Sequence, residues 1–387
     1  MSKTPKLRFK EFSGDWEIKK LGDLAEICTG KKDTKDKVED GKFPFFVRSQ
    51  IIERINSYSF DGEAILTAGD GVGVGKVFHY INGKFDYHQR VYKLSNFAKG
   101  TNGRYIYEYF KKNFIKEVTK YTAKTSVDSV RMEMITKMDI PHPSIEEQEK
   151  IASFFSLIDD KISLQSEKLE MLKDYKKGMM QKIFSRELRF KDDEGRDYPE
   201  WEEKELKDII EKIIDNRGKT PPVKEVGIPL LEVSCLGAMT PDFNQVTKYV
   251  DEDTYNNWFR NHIQEGDLLF TTVGATGIVS IANSYKSCIA QNIVGFRFKE
   301  EYSPEFMYNL FSYRDNVKRI KSIEMGAVQP SVKVTQLIKL KFEIPSINEQ
   351  IKIGKALCKI DRKINKEQEK LDSLNEYKKG LLQQMFV

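Results

Sequence analysis

Residues 143–184 of this chain are PSIEEQEKIASFFSLIDDKISLQSEKLEMLKDYKKGMMQKIF, and residues 345–386 are PSINEQIKIGKALCKIDRKINKEQEKLDSLNEYKKGLLQQMF. The two stretches align without a gap, and half of their positions are identical. A shorter repeat opens each half, LRFKEFSGDW from Leu7 and LRFKDDEGRDYPEW from Leu188. Such self-similarity indicates an internal duplication of the chain. The boundaries that follow are a first globular domain at 1–142, a spacer helix at 143–185, a second domain at 186–344 and a second helix at 345–387.

The two repeated segments predict long helices that pair with each other. Ser144 and Ser346 stand three positions before Glu147 and Glu349, the spacing of a capping box at a helix start. Apolar residues then step by four and three, which is a heptad seam. The seam residues are Ile151, Phe155, Ile158, Ile162, Leu169, Leu172, Met179, Ile353, Leu357, Ile360, Ile364, Leu371, Leu374 and Leu381. The alternative is that each helix covers its own domain. Two matched copies favour an antiparallel coiled coil, with each rod about 60 Å long.

The segments between the repeats predict a mixed fold of strands and helices. EAILTAGD (63–70) and GDLLFTTVG (266–274) are typical of strands that enter glycine turns, and HQRVYKL (88–94) and CIAQNIVGFRF (288–298) of strands that follow them. GRYIYEYFKKNFIKEV (103–118) and PEFMYNLFSYRDNVKRI (304–320) have the period of amphipathic helices. The fold class is therefore mixed α/β or α+β, with two pseudo-symmetric globular domains separated by the antiparallel helices.

Composition bounds the kinds of partner and compartment. The 387 residues are 39% hydrophobic and 32% charged, enough for two domains with their own cores. The 64 Lys and Arg exceed the 59 Asp and Glu for a net charge of +5, which permits a nucleic-acid partner. The four cysteines stand singly, which favours reduced thiols, no metal site and a cytoplasmic protein. The sequence has no apolar run of signal-peptide or membrane-spanning length, so no membrane partner is expected.

The glycine turn TAGDGVGVGKV (67–77) is not a nucleotide-binding loop. A phosphate loop requires glycine where Asp70 stands and Ser or Thr where Val77 stands. The chain has no N/D-P-P-Y/F/W tetrad of a methyltransferase, and PD at 241 has no convincing nuclease partner downstream. We therefore expect no catalytic residues in this chain, and a turn that lies near a ligand or near the domain core.

Two unequal domains joined by matched rods suit a ligand with two separate recognition elements, and duplex DNA is the obvious one. Arg, Gln and Asn are the side chains that bond guanine and adenine edges bidentately, although any one of them is more often a solvated surface residue. The candidate DNA-binding residues lie at predicted loops and strand ends. They are Lys31, Lys32, Arg48, Gln50, Gly71, Gly73, Lys76, Gln89, Arg90, Lys124, Thr125, Ser126, Arg217, Lys219, Thr220, Thr272, Gly274, Thr276, Gln291, Asn292, Gln329, Ser331 and Lys333.

The chain resembles the specificity (S) subunits of type I restriction-modification systems over essentially its whole length. The resemblance rests on the doubled order of domain and helix, on the helix entries PHPSIEEQEKI and IPSINEQIKI, and on the exits YKKGMMQKIF and YKKGLLQQMF. One departure is that GAVQPSV (326–332) corresponds to AKTSVDSV (123–130), which lacks the Gln-Pro pair.

The resemblance implies a non-catalytic subunit that recognises a bipartite, asymmetric site on double-stranded DNA, one half for each target-recognition domain. It also implies that the helices set the gap and dock two methyltransferase (M) subunits, joined by restriction and translocase (R) subunits. S-adenosylmethionine, ATP and Mg²⁺ would then belong to those partners, with no cofactor in this chain. The alternatives are a structural coiled-coil scaffold and a stand-alone DNA-binding protein.

Overall fold

The computed structural model describes residues 4–121, 129–216, 218–326 and 328–386. It contains two compact units, unit 1 with residues 1–166 and 370–387 and unit 2 with residues 167–369. Each unit therefore holds one globular domain together with part of both long helices.

Unit 1 contains a six-stranded sheet and a separate pair of strands. Its strands are β1 (Glu17–Lys20), β2 (Glu26–Thr29), β3 (Phe43–Phe46), β4 (Glu53–Ile55), β5 (Phe60–Ala68), β6 (Phe78–Tyr87), β7 (Val91–Ser95) and β8 (Asp139–His142). Its helices are α1 (Leu21–Leu24), α2 (Gly103–Thr119), α3 (Met132–Thr136) and the first part of α4 (Ile145–Phe184). The sheet order is β2-β7-β5-β6-β3-β4, and β1 pairs separately with β8. Helix α2 packs Phe110 and Phe114 against Phe78 of the sheet, which forms the centre of the core.

Unit 2 repeats this plan with shorter strands. Its strands are β9 (Glu202–Glu205), β10 (Ile210–Ile214), β11 (Ile228–Leu231), β12 (Tyr249–Val250), β13 (Leu268–Thr271), β14 (Val279–Ile281), β15 (Cys288–Ile289), β16 (Ile293–Phe298) and β17 (Lys341–Ile344). Its helices are α5 (Leu206–Ile209), α6 (Pro304–Ser312), α7 (Arg314–Lys321), α8 (Val334–Leu337) and the first part of α9 (Ile347–Met385). The sheets have the orders β10-β16-β13-β14, β12-β11-β15 and β17-β9.

Two elements of the second domain differ from the expectation. The single strand predicted over 288–298 is two strands, because β15 joins β11 in parallel while β16 joins β13 in the other sheet. The single helix predicted over 304–320 is divided at Tyr313, which has extended backbone angles and stacks its ring on Phe184 at 4.8 Å. In both places a tertiary contact overrides the local pattern.

The helix entries are stabilised by long-range ion pairs rather than by capping boxes. Arg8 donates to Glu147 through Nε (2.8 Å) and Nη2 (2.7 Å), and the Trp16 indole donates to the same carboxylate at 3.2 Å. Arg189 donates to Glu349 in the same way, at 3.3 and 2.9 Å.

The predicted capping boxes are therefore wrong, in the reciprocal half at the first helix and in both halves at the second. Ser144 Oγ accepts the Glu147 N–H at 3.4 Å. The buried hydroxyl of Ser346, in contrast, has no hydrogen-bond partner among the described residues. The arginine of each LRFK repeat takes the carboxylate that would otherwise turn back to the helix start.

We expect Glu349→Gln to lower the free energy of unfolding by roughly 2 kcal/mol, because the Arg189 guanidinium loses its buried carboxylate. Glu376→Gln is the control, since the Glu376–Lys379 pair is exposed and such pairs contribute little. Urea unfolding of the full chain, followed by circular dichroism, measures both variants. Equal stability of Glu349→Gln and wild type would show that the helix entry does not depend on this pair.

Within each unit the two long helices contact each other in antiparallel directions. In unit 1, Phe155 of α4 stacks on Phe386 at 5.9 Å, and Lys378 of α9 donates to Asp159 at 2.7 Å. In unit 2, Lys176 pairs with Asp361 at 2.6 Å. The repeat makes Lys176 equivalent to Lys378 and Asp159 equivalent to Asp361. The two ion pairs are therefore equivalent contacts of the two halves of the repeat. The apolar seam residues are all buried or half-buried.

Candidate nucleic-acid interface

The glycine turn of the first domain packs against the domain itself. Residues Gly71–Gly73 form a 3₁₀ turn after β5, and Gly71 has a φ of +71°. A Cβ on Gly73 would lie 2.5 Å from the carbonyl oxygen of Arg48, so a larger residue would displace that strand end. Val72, at the tip, is 92% exposed. The sequence left open whether this turn lies near a ligand or near the domain core. Its buried side is near the core, and its tip faces solvent.

Several candidate residues of the first domain meet beside this turn. Asp70 accepts hydrogen bonds from Arg48 Nη1 at 2.7 Å and from Arg90 Nη1. We call these three residues the Asp70 cluster. Gln89 lies next to it, where its backbone N–H donates to the Lys32 carbonyl at 2.8 Å and its side chain donates to Asp33 at 3.1 Å.

The remaining candidates of this domain are lysine and glutamine side chains for which the structure gives no contact with the Asp70 cluster. Lys31, Gln50 and Lys76 are exposed, and Lys32 is half-buried. Four candidates lie outside the described residues, namely Lys124, Thr125, Ser126 and Arg217.

Charge and burial shape the Asp70 cluster. Burial alone would raise the pKa of the Asp70 carboxyl, but the hydrogen bonds from Arg48 and Arg90 lower it below its ordinary value. Burial also lowers the pKa of His88, so its 4.0 Å approach to Asp33 is a contact of a neutral ring at pH 7. Because the pKa of Asp70 is lowered, both arginines of the cluster face a negatively charged carboxylate at pH 7.

The second domain brings a corresponding set together. The Thr220 hydroxyl donates to Gln291 at 3.4 Å, and the Thr272 hydroxyl donates to the Asn292 carbonyl at 3.1 Å. The Gly274 N–H donates to the Pro330 carbonyl at 2.9 Å.

Other candidates of this domain divide by burial. Thr272 and Thr276 are buried, and the Thr276 hydroxyl donates to Glu324, so these hydroxyls hold the turn in place. Exposed or half-buried candidates are Lys219, Gly274, Gln291, Asn292, Gln329, Ser331 and Lys333.

The hydrogen bonds align the two turns residue by residue. Gly69 N–H donates to the Arg90 carbonyl, and Thr272 N–H donates to the Asn292 carbonyl, both at 2.8 Å. His88 N–H donates to Phe46, as Ala290 N–H donates to Leu231, both at 2.9 Å. The equivalent pairs are Gln89 and Gln291, Arg90 and Asn292, Arg48 and Val233, and Asp70 and Val273.

Backbone hydrogen bonds also align the ends of the two segments, 123–130 and 326–332, that could not be matched from the sequence. Val130 and Val332 each donate to the strand before the turn, so Ser129 corresponds to Ser331. Asp70 was not among the predicted DNA-binding residues. An acidic side chain is an unexpected neighbour for DNA, and its two arginine partners lie 22 and 20 positions away.

The described ranges show neither a metal-binding cluster nor a membrane-spanning helix. No group of three or more His, Cys, Asp or Glu side chains is placed to hold a metal ion. None of the helices there combines the length and the apolar composition that crossing a membrane requires.

Comparison with known proteins places the chain in a family. The family model for the type I restriction modification DNA specificity domain matches residues 13–174 and 198–376. The chain therefore belongs to the family of type I restriction-modification specificity subunits, which recognise DNA and are not catalytic.

Relatives of similar length support this assignment. The type I restriction enzyme MjaVIII specificity subunit of Methanocaldococcus jannaschii is 26% identical over 97% of this chain and 94% of its own length. The crystal structure of the S subunit from M. genitalium shares the fold with a TM-score of 0.68 and 17% identity, over 99% of both chains. A chain from a structural study of complex assembly in a type I restriction-modification system has a TM-score of 0.55 and 15% identity, over 95% of this chain and 96% of that one.

Proposed function

We propose that this subunit recognises a bipartite, asymmetric site on double-stranded DNA, one half for each domain. The observation that carries the proposal is that both domains build the same turn but present different side chains from it. Arg90 in the first domain corresponds to Asn292 in the second, while Gln89 and Gln291 are shared. Arginine pairs bidentately with guanine, and the shorter amide of Asn292, whose Oδ1 is buried, does not offer that fork. One framework with two sets of polar side chains suits two unlike half-sites.

We further propose that α4 and α9 set the gap between the half-sites and dock two methyltransferase subunits. The repeat gives the helices matched exposed residues, such as Tyr175 and Tyr377, which are 56% and 57% exposed, and a repeated surface suits two copies of one partner. Restriction subunits would join that complex in the cytoplasm. S-adenosylmethionine, ATP and Mg²⁺ would be bound by the partner subunits.

The half-sites should be separable. We expect a chimera in which residues 186–344 are replaced by the second domain of another specificity subunit to change one half-site and to leave the other as in wild type. Long-read mapping of methylated adenines in cells that carry the chimera and the partner subunits measures both halves. A change in both halves would contradict independent recognition.

Methylation mapping together with a DNA-binding assay separates the alternatives. A structural scaffold would support methylation at sites that do not depend on either domain. A stand-alone DNA-binding protein would select DNA in a binding assay but would direct no methylation when the methyltransferase subunits are present.

A further inference from the structure

Within the described residues, the Asp70 cluster is a carboxylate held between two arginines beside the glycine turn of the first domain. Asp70 Oδ1 accepts from Arg48 Nη1 at 2.7 Å, and its Oδ2 accepts from Arg90 Nη1. The carboxylate side chain is 14% exposed, whereas the Arg48 and Arg90 side chains are 43% and 62% exposed. The anion is therefore withdrawn into the domain, and the two cations remain at its surface.

The geometry leaves one edge of each guanidinium available. Asp70 uses only Nη1 of Arg48 and Nη1 of Arg90, and for Nε and Nη2 of both arginines we find no protein acceptor among the described residues. Two adjacent N–H groups are what a guanidinium uses to bond the O6 and N7 atoms of guanine. Held by a common carboxylate, the two side chains lose less rotamer freedom when they bind, which is how preorganisation raises affinity.

The second domain supplies an internal comparison. At the positions equivalent to Arg48, Asp70 and Arg90 it has Val233, Val273 and Asn292. The carboxylate is absent from the domain that lacks the arginines. An acidic side chain without them would repel the phosphates of bound DNA, so the three residues make sense only as a unit. A purely structural ion pair would not require two partners that both stay exposed.

We propose that Asp70 is a positioning residue that holds Arg48 and Arg90 as a pair for the recognition of guanine, and that this cluster sets the sequence of the half-site bound by the first domain. The inference rests on the proposed function and goes beyond it by assigning the base class and the residues. Asp70 acts through the arginines and does not contact the base. The second domain, with Asn292 at the place of Arg90, selects a different sequence.

The test is selection of duplexes, randomised at both half-sites, by the purified full chain in wild-type, Asp70→Asn and Arg90→Lys form. In Asp70→Asn we expect the guanine preference in one half-site to fall about tenfold, because the isosteric amide no longer holds both arginines. In Arg90→Lys we expect a similar loss although the charge is kept, because the ammonium has no bidentate fork. The other half-site should be unchanged in both variants.

Controls separate positioning from folding and from charge. Asp192→Asn makes the same change of charge in unit 2, where Asp192 pairs with the exposed Arg196. It should leave both half-sites as in wild type. Asp70→Asn should stay folded at the temperature of the selection, with only a small fall in the midpoint of thermal unfolding, because ion pairs of exposed arginines contribute little stability. The slope of log affinity against log salt should not fall in Asp70→Asn, since no phosphate contact is removed.

The failures are distinguishable. If wild type selects two half-sites and Asp70→Asn selects the same two with equal discrimination, the role of Asp70 is refuted. If Asp70→Asn binds all sequences more weakly by one factor and also unfolds earlier, its role is structural and the inference is again refuted. If wild type selects no half-site at all, the proposed function itself fails, and this inference fails with it.

Discussion

Replacement of Lys378 by Met is expected to lower the free energy of unfolding by roughly 3 kcal/mol at pH 8 and by less at pH 5. Lys378 of α9 lies 3.1 Å from Glu108 of α2 and 2.7 Å from Asp159 of α4. Its side chain is 11% exposed, and that of Glu108 is fully buried. The methionine fills a similar volume but leaves the carboxylate without its nearest cation.

The pH dependence follows from the direction of the pKa of Glu108. Burial raises this pKa above its ordinary value, and the charge of Lys378 partly opposes that rise. Loss of Lys378 therefore raises the pKa of Glu108 further. A carboxyl group whose pKa is raised in the folded state contributes stability below its unfolded pKa, and this contribution is lost as pH rises through the folded pKa. The variant should therefore be weakest where Glu108 must be charged.

The repeat supplies a matched control in Lys176→Met. Lys176 pairs with Asp361 at 2.6 Å as Lys378 pairs with Asp159, but the position equivalent to Glu108 is Asn309, which does not titrate. Urea unfolding of wild type, Lys378→Met and Lys176→Met at pH 5 and pH 8 compares the three. If both variants lose the same stability at both pH values, Glu108 is not the group that titrates.

Sequence periodicity predicted the long helices well because their signal is local. A heptad seam needs only the residues of one segment, and the copy at a constant offset doubles the signal. The partners of Glu147 and Glu349 were not predicted, because Arg8 and Arg189 lie 139 and 160 positions away in sequence. From local sequence, a capping box is the expected contact of those glutamates. In the structure each carboxylate instead accepts hydrogen bonds from a guanidinium that is distant in sequence.

The candidate interface shows the same division. The sequence predicted Gln89, Arg90, Gln291 and Asn292 from residue type and from their position at loops and strand ends, and the structure places them at equivalent points of the two turns. Residue type alone could not show that Arg48 and Arg90 share a carboxylate, because that contact joins three separate loops. Nor could it show that the hydroxyls of Thr272 and Thr276 are occupied within the domain.

Insertion of one heptad into each long helix is expected to lengthen the gap between the half-sites by about three base pairs. Seven residues add about 10 Å of helix, and base pairs rise about 3.4 Å each. The best insertion points follow residues 166 and 369, where the two units divide. Both residues of the Lys378–Asp159 pair then stay in unit 1, and both residues of the Lys176–Asp361 pair stay in unit 2. The seam also stays in register, because a heptad returns the same helix face to within about 20°.

The half-site sequences themselves should not change, because the Asp70 cluster and Asn292 keep their places within their domains. Affinity should fall, since three extra base pairs turn one half-site by about 100° around the duplex and the DNA must twist or bend to compensate. Selection from duplexes with randomised half-sites and gaps of every length measures the gap and the sequences together. Insertion of five residues into each helix is the control, because it rotates the seam by about 140° away from its partner and should abolish paired recognition. An unchanged gap at undiminished affinity in the heptad variant would mean that the helices do not set the spacing, and that some other element of the assembled complex does.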